Sequence, residues 1–182
     1  MRKVVVFTNV TLDGVMQGPG RPEEDRRGGF TRGGWATPYA AMAEAGDARV
    51  FTGALLMGRR TYEDFHAFWP GQKDSPFSAI LESLPKYVAS RTLREPLPWK
   101  NSTLLAGDAA DAVAHLKAEP GGDLMVMGSG ELVQSLMRRG LVDEYVLLVH
   151  PLVLGSGRRL FPDGGSPAAL KLVGSRSTST GA

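Results

Sequence analysis

Two short stretches carry residue types suited to holding an anion. In Met57-Gly58-Arg59-Arg60-Thr61 and in Met127-Gly128-Ser129-Gly130-Glu131-Leu132, an apolar run ends in glycine and a helical pattern follows. A helix start leaves its first backbone N–H groups without intrahelical partners, and the aligned peptide dipoles make that end positive. Phosphate oxygens suit such a place, and small residues let a ligand close on the backbone. Two such turns match the two phosphates of a dinucleotide. A third strand end is followed by Ser90, Arg91 and Thr92. Arg59 or Arg60, together with Arg91, can clamp a phosphomonoester through paired N–H donors, and a 2′-phosphate is what separates NADP from NAD. Neither turn completes G-x-G-x-x-G, and no G-x-x-x-x-G-K-[ST] occurs, so each taken alone also describes a plain strand-to-helix turn.

Other groups have two readings each. Asp13, beside Gly14, is the candidate catalytic residue for substrate or proton work, and equally a side chain that shapes its own turn. Trp35 and Tyr39 can stack on a planar heterocycle or simply pack. His66, His115 and His150 share no metal-ligand spacing, so no metal site is expected. His150, next to Pro151, either faces a pocket or is an ordinary satisfied or surface histidine. Glu63 and Asp64 are adjacent on a helix and diverge by about 100°, which makes them a poor acid–base couple.

The elements that must position these residues follow from periodicity. Residues 2–10 read as a strand buried on both faces. Residues 11–35 form a long glycine-rich loop, of the length found in lids and binding loops. Helices are expected over 38–48, 60–68, 77–84, 108–119 (capped by Asp108, with Ala109, Ala112, Val113 and Leu116 inward) and 131–139. Strands are expected over 54–57, 86–89, 103–106, 123–127 and 142–154, with weaker ones at 159–161 and 170–177. Strands alternate with helices through residue 140 and then follow one another. That order implies an α/β fold with a mostly parallel sheet and an antiparallel C-terminal addition.

The 182 residues suit a single domain, 1–182, with 42 % apolar and 22 % charged residues. Cysteine is absent, which removes disulfides and thiolate chemistry and fits a cytoplasmic protein. No leader-like or membrane-spanning stretch is read in the sequence. The net charge of +2 is spread over scattered arginine pairs rather than a stripe, so neither nucleic acid nor membrane is an expected partner.

At these residues the chain resembles the dihydrofolate-reductase-like reductases. In particular it resembles stand-alone relatives of the C-terminal reductase domain of the bifunctional riboflavin-biosynthesis deaminase/reductase, RibD. The resemblance rests on VTLDGV, GGWATPY, MGRRTYEDF, KYVASRT, MGSGELVQSLMRRGLVDEY and HPLVLGSGRRLFP, in family order over nearly the whole chain. It implies a three-layer αβα fold with about eight strands, NADPH along the sheet's carboxyl edge, and hydride transfer to a pteridine- or aminopyrimidine-like heterocycle, as in 5-amino-6-(5-phosphoribosylamino)uracil reductase. By the resemblance, Gly58, Arg59, Arg60 and Thr61 hold the pyrophosphate and 2′-phosphate, and Ser90 and Arg91 flank the adenosine ribose. Gly128, Ser129, Gly130, Glu131 and Leu132 line the pyrophosphate and nicotinamide side, and Asn9, Val10, Val15 and Met16 approach the nicotinamide ring. A homodimer is also implied. Glu44 and Asp47 do not match the carboxylate of the folate enzymes, so folate is not the expected substrate; the resemblance also leads one to expect a further apolar strand after STSTG, either missing or supplied otherwise. The alternative is an NADP(H)-binding module without turnover.

Overall fold

The computed structural model describes residues 1–39, 52–165 and 167–182. The helix expected over 38–48 falls almost entirely outside them, as do Glu44 and Asp47. The chain divides into two compact units, Met1–Phe7 with Asp47–Val146, and Thr8–Gly46 with Leu147–Ala182.

Among the described residues, the strands are β1 (Val4–Thr11), β2 (Ala54–Gly58), β3 (Lys86–Ala89), β4 (Ser102–Leu105), β5 (Leu124–Met127) and β6 (Glu144–His150). The helices are α1 (Arg59–Phe68), α2 (Pro76–Ser83), α3 (Ala109–Ala118) and α4 (Gly130–Arg138). The sheet runs β4-β3-β2-β5-β1-β6. The pairs β4–β3, β3–β2, β2–β5 and β5–β1 are all parallel.

Parallel strands covered on both faces read as unbroken apolar runs. VVVF in β1, ALLM in β2 and LMVM in β5 are such runs, and all of these residues are buried. Each fully buried aliphatic side chain contributes about 1.5–3 kcal/mol relative to exposure. At the amino ends of β2 and β5 the backbones touch: a Cβ on Gly53 would lie 2.0 Å from the Asp123 carbonyl oxygen, so only glycine fits.

The expected helices at 60–68, 77–84, 108–119 and 131–139 are present within a residue or two at each end. Asp108 caps α3, accepting from the N–H groups of Ala110 and Asp111 at 2.9 and 3.1 Å. The inward face of α3 carries Ala110, Val113 and Leu116, rather than Ala109 and Ala112.

Among the described residues the strand count is six rather than about eight. The strand expected over 142–154 ends at His150, where Pro151 removes a ladder donor. The 159–161 strand reduces to one antiparallel bridge, Val15 to Arg159, and residues 170–177 form no strand. There Leu170, Leu172 and Val173 are exposed, so no buried face rewards extended pairing.

Within the second unit, the glycine-rich segment is held by side chains. Gln17, buried, donates to the carbonyls of Asp25 (3.3 Å) and Arg27 (3.0 Å) and accepts from Arg158 N–H at 2.9 Å. Glu24 accepts from the N–H groups of Gly20 and Arg21. Trp35 Nε1 donates to the Gln17 carbonyl at 2.8 Å, and Val15, Phe30 and Trp35 form a small core.

Candidate functional site

The first unit brings the three strand ends to one edge. In the β2–β3 register Met57 pairs with Val88 and Gly58 with Ala89, and in the β2–β5 register Leu56 pairs with Val126. The turns after β2, β3 and β5 therefore leave the sheet side by side, because parallel neighbours place all their carboxyl ends together. Gly58, Arg59, Arg60, Thr61, Ser90, Arg91, Gly128, Ser129, Gly130, Glu131 and Leu132 lie in these three turns and the helix starts that follow.

The β2 and β5 turns are pinned to each other. Ser129 Oγ accepts the Gly58 N–H at 2.9 Å and donates to Thr61 Oγ1 at 2.8 Å. To make both bonds Ser129 occupies the left-handed region, φ 56°, after Gly128 at φ 64°. A non-glycine residue there is strained, and such strain is found where surrounding structure over-determines a site. Gly58 itself has ordinary extended angles, and a Cβ on it would make only ordinary contact with Ser129 at 3.5 Å. Its role is to keep the turn's surface low, not to permit an unusual φ.

Neither helix start is capped by a side chain. Gly58 precedes α1 and Ser129 precedes α4, both without a capping bond, in contrast to Asp108 before α3. Moreover, α1 begins with Arg59 and Arg60 and has no acid in its first turn. Two cations at the positive end of a helix dipole are unfavourable locally, by a few tenths of a kcal/mol to about 1 kcal/mol each. Arg59 is offset by Glu63 at 3.0 Å, and Arg60 more weakly by Glu131 at 3.8 Å. These pairs are at the surface and are readily exchanged for a stronger anion. Arg91 is exposed at the third turn; the Asp108 carboxyl is held below its usual range first by the N–H groups of Asp111 and Ala110, and least by the charge of Arg91. The arrangement presents two helix starts without a side-chain cap and three guanidinium groups, two of them held by the surface carboxylates Glu63 and Glu131, which suits phosphate oxygens.

Two of the candidate side chains are otherwise engaged. Ser90 Oγ accepts from the N–H groups of Thr92 and Leu93, which shapes the β3 turn. Leu132 is buried, leaving only its backbone for a ligand.

The remaining candidates lie in the second unit. Val10, Val15 and Met16 are buried, and Val15 belongs to the core with Phe30 and Trp35. Asp13 accepts from Thr11 Oγ1 at 2.6 Å and from the N–H groups of Leu154 (3.2 Å) and Gly155 (2.8 Å). The Thr11 hydroxyl foremost, with these backbone donors, brings its pKa down to about 2, against the pull of burial. It is a carboxylate that holds the 154–155 turn, and a poor proton donor near neutrality. Asn9 Oδ1 lies 2.8 Å from Nε2 of His150, whose ring meets Trp35 and Tyr39 edge-on at centroid distances of 5.2 and 5.0 Å. Burial of His150 lowers its pKa and keeps the ring neutral.

Sequence reasoning did not foresee the Ser129–Thr61–Gly58 bridge or the Asn9–His150 pair. The serine in GSG was the available signal for the first. The second joins residues 141 positions apart and has no sequence signature.

The RibD C-terminal domain family matches residues 2–182. The chain belongs to that family. This RibD C-terminal domain is 30 % identical over 189 residues to the uncharacterized protein YyaP of Bacillus subtilis strain 168, covering 99 % of this chain and 91 % of the relative. It is 26 % identical over 179 residues to the uncharacterized protein YwjB of the same organism, covering 96 % and 91 %. Among solved structures it superposes on a Shewanella sp. PV-4 protein assigned by its name to riboflavin biosynthesis, with TM-score 0.66, 24 % identity and coverage of 98 % and 94 %. It also superposes on the dihydrofolate reductase of Enterococcus faecalis in complex with NADP(H), with TM-score 0.51, 13 % identity and coverage of 88 % and 77 %. The fold of the RibD C-terminal domain is thus dihydrofolate-reductase-like.

Proposed function

We propose that this chain is an NADPH-dependent reductase that transfers hydride to a small pteridine- or aminopyrimidine-like heterocycle, of the type of 5-amino-6-(5-phosphoribosylamino)uracil reductase. The observation that carries the reading is the pair of adjacent, uncapped helix starts, one of them opened by Arg59 and Arg60. The N–H groups at the starts of α1 and α4 would take the pyrophosphate oxygens, with the hydroxyl of Thr61 beside them. Arg59, Arg60 and Arg91 would take the 2′-phosphate. The E. faecalis enzyme, of the same fold, carries NADP(H).

NADPH, when bound, supplies the hydride. What the chain supplies is orientation: fixed donors in the turns hold phosphates without reorganising, because the Ser129 bridge has already set the two turns. The proton that completes a reduction has no donor in Asp13, whose hydrogen-bond set holds it ionised. That observation favours the second reading, an NADP(H)-binding module without turnover. Family resemblance further proposes a cytoplasmic location and a homodimer, the latter checked by sedimentation of the purified chain.

The test is a fluorescence titration with NADPH and NADH. Wild type is expected to prefer NADPH. Arg59→Ala and Arg91→Ala should each weaken NADPH by about 10- to 100-fold, the loss of a charge-assisted pair of about 1.5–3 kcal/mol, and leave NADH nearly unchanged. Equal losses for both cofactors would refute the 2′-phosphate assignment. Oxidation of NADPH by a panel of pteridines and aminopyrimidines then separates reductase from binding module.

A further inference from the structure

In the second unit, His150 sits at the end of β6, fully buried, with Trp35 and Tyr39 against its ring and Asn9 of β1 at its Nε2. Only the oxygen of the Asn9 amide faces the histidine, and an amide oxygen only accepts. The shared proton is therefore on Nε2, which leaves Nδ1 as a bare acceptor, and Nδ1 indeed has no partner although it is buried. A buried ring nitrogen without a partner is costly to keep. The chain tolerates that cost and gains one thing by it: the Asn9 amide is locked in a single orientation, oxygen inward. Its NH2 group points the other way, and Asn9 is half-exposed with no partner for that group among the described residues. Half-exposed Tyr39, edge-on to the same His150 ring, offers an aromatic face.

We propose that His150 is a positioning residue which orients Asn9 so that its NH2 donates to the carbonyl oxygen of a planar heterocyclic substrate. The inference rests on the reductase reading for its substrate class, and deepens it: the ring must carry an oxygen, not an amino group, at the position that meets Asn9. A pyrimidinedione satisfies the amide donors. A fully aminated pyrimidine of the same shape sets N–H against N–H.

The probes are 5,6-diaminouracil and 2,4,5,6-tetraaminopyrimidine, with binding to the full chain followed by calorimetry in the presence of NADPH. Wild type should prefer the uracil by about tenfold, the worth of one satisfied against one opposed hydrogen bond. In His150→Phe the ring shape stays but the lock is gone, the amide can turn over, and the preference should fall to about unity. His150→Gln keeps an N–H donor near the position of Nε2 and should restore most of the preference. A role in packing alone would weaken both probes together in His150→Phe, and that result would overturn the inference. So would tight, equal binding of both probes by wild type. If wild type binds NADPH and neither probe, the proposed recognition is wrong while the phosphate turns stand. If NADPH itself does not bind, the reductase reading fails first. Should His150→Phe not fold, nitrogen-15 NMR of the wild-type imidazole decides: an Nε2–H tautomer supports the inference, and an Nδ1–H tautomer overturns it.

Discussion

The bridge between the β2 and β5 turns can be taken apart one bond at a time. Ser129→Ala removes the acceptor of the Gly58 N–H and the donor to Thr61 Oγ1. At about 1 kcal/mol net per hydrogen bond, the loss should be about 2 kcal/mol. For a chain of this size that corresponds to a fall in Tm of about 4–8 °C. Ser129→Gly loses the same bonds but removes the left-handed Cβ penalty at φ 56°, which is worth about 1 kcal/mol, so it should be the milder variant. Thr61→Val removes only the second bond and should cost about 1 kcal/mol. Because the two sites share that bond, the double variant Ser129→Ala/Thr61→Val should lose about 2 kcal/mol, not 3, a coupling of about 1 kcal/mol. Urea denaturation with a common m-value measures all four proteins. Additivity within about 0.3 kcal/mol, or alanine proving milder than glycine, would refute the bridge as described.

Three further perturbations test other parts of the structure. Asp13 has a folded pKa of about 2 against an ordinary 3.8, so the stability it contributes is complete above pH about 4 and is lost as pH falls towards 2. Asp13→Asn should flatten that acid limb and raise amide exchange at Leu154 and Gly155; an unchanged limb would contradict the assignment. Lys86 is buried, gives its ammonium to the carbonyls of Glu82, Leu84 and Lys100, and lies 4.5 Å from the Trp99 ring. Burial brings its pKa from 10.5 to about 8, so the folded state resists the charge and wild type should gain stability relative to Lys86→Met between pH 8 and 10.5. A stability difference that shrinks over that range, in urea melts, would reverse the assignment. Glu131 partly occupies Arg60 at 3.8 Å and would oppose a phosphate at the proposed site. Glu131→Gln should tighten NADPH binding about two- to fivefold at low salt, an advantage that fades at high salt.

The features legible in the sequence were those encoded locally. Unbroken apolar runs such as VVVF and LMVM announced buried parallel strands, Asp108 announced its helix, and glycine after Met57 and Met127 announced turns at strand ends. Parallel pairing then did the assembly, because adjacent strands of the same direction bring their carboxyl ends together. What stayed hidden depended on pairs far apart in sequence. Ser129 could be seen in its turn but not its bond to Gly58, which is 71 residues away. Asp13 was visible as a lone acid, and only its three donors show that it is a turn-holding anion. His150 showed no sign of its partner. The weak C-terminal strands failed for a different reason: Leu170, Leu172 and Val173 have the composition of a strand, but strand formation needs a face to bury, and here they are exposed.

The strand order has a consequence for how the chain is made. β2, β3 and β4 are consecutive in sequence and neighbours in the sheet, so they can pair soon after leaving the ribosome. β1 is synthesised first, yet its parallel partner β5 begins at Leu124. At about 5–20 residues per second, Val4–Phe7 waits several seconds or more for that partner. During that interval an apolar β-prone segment has no ladder to join, and it is the place where a nascent copy would stick to another chain or call for a chaperone.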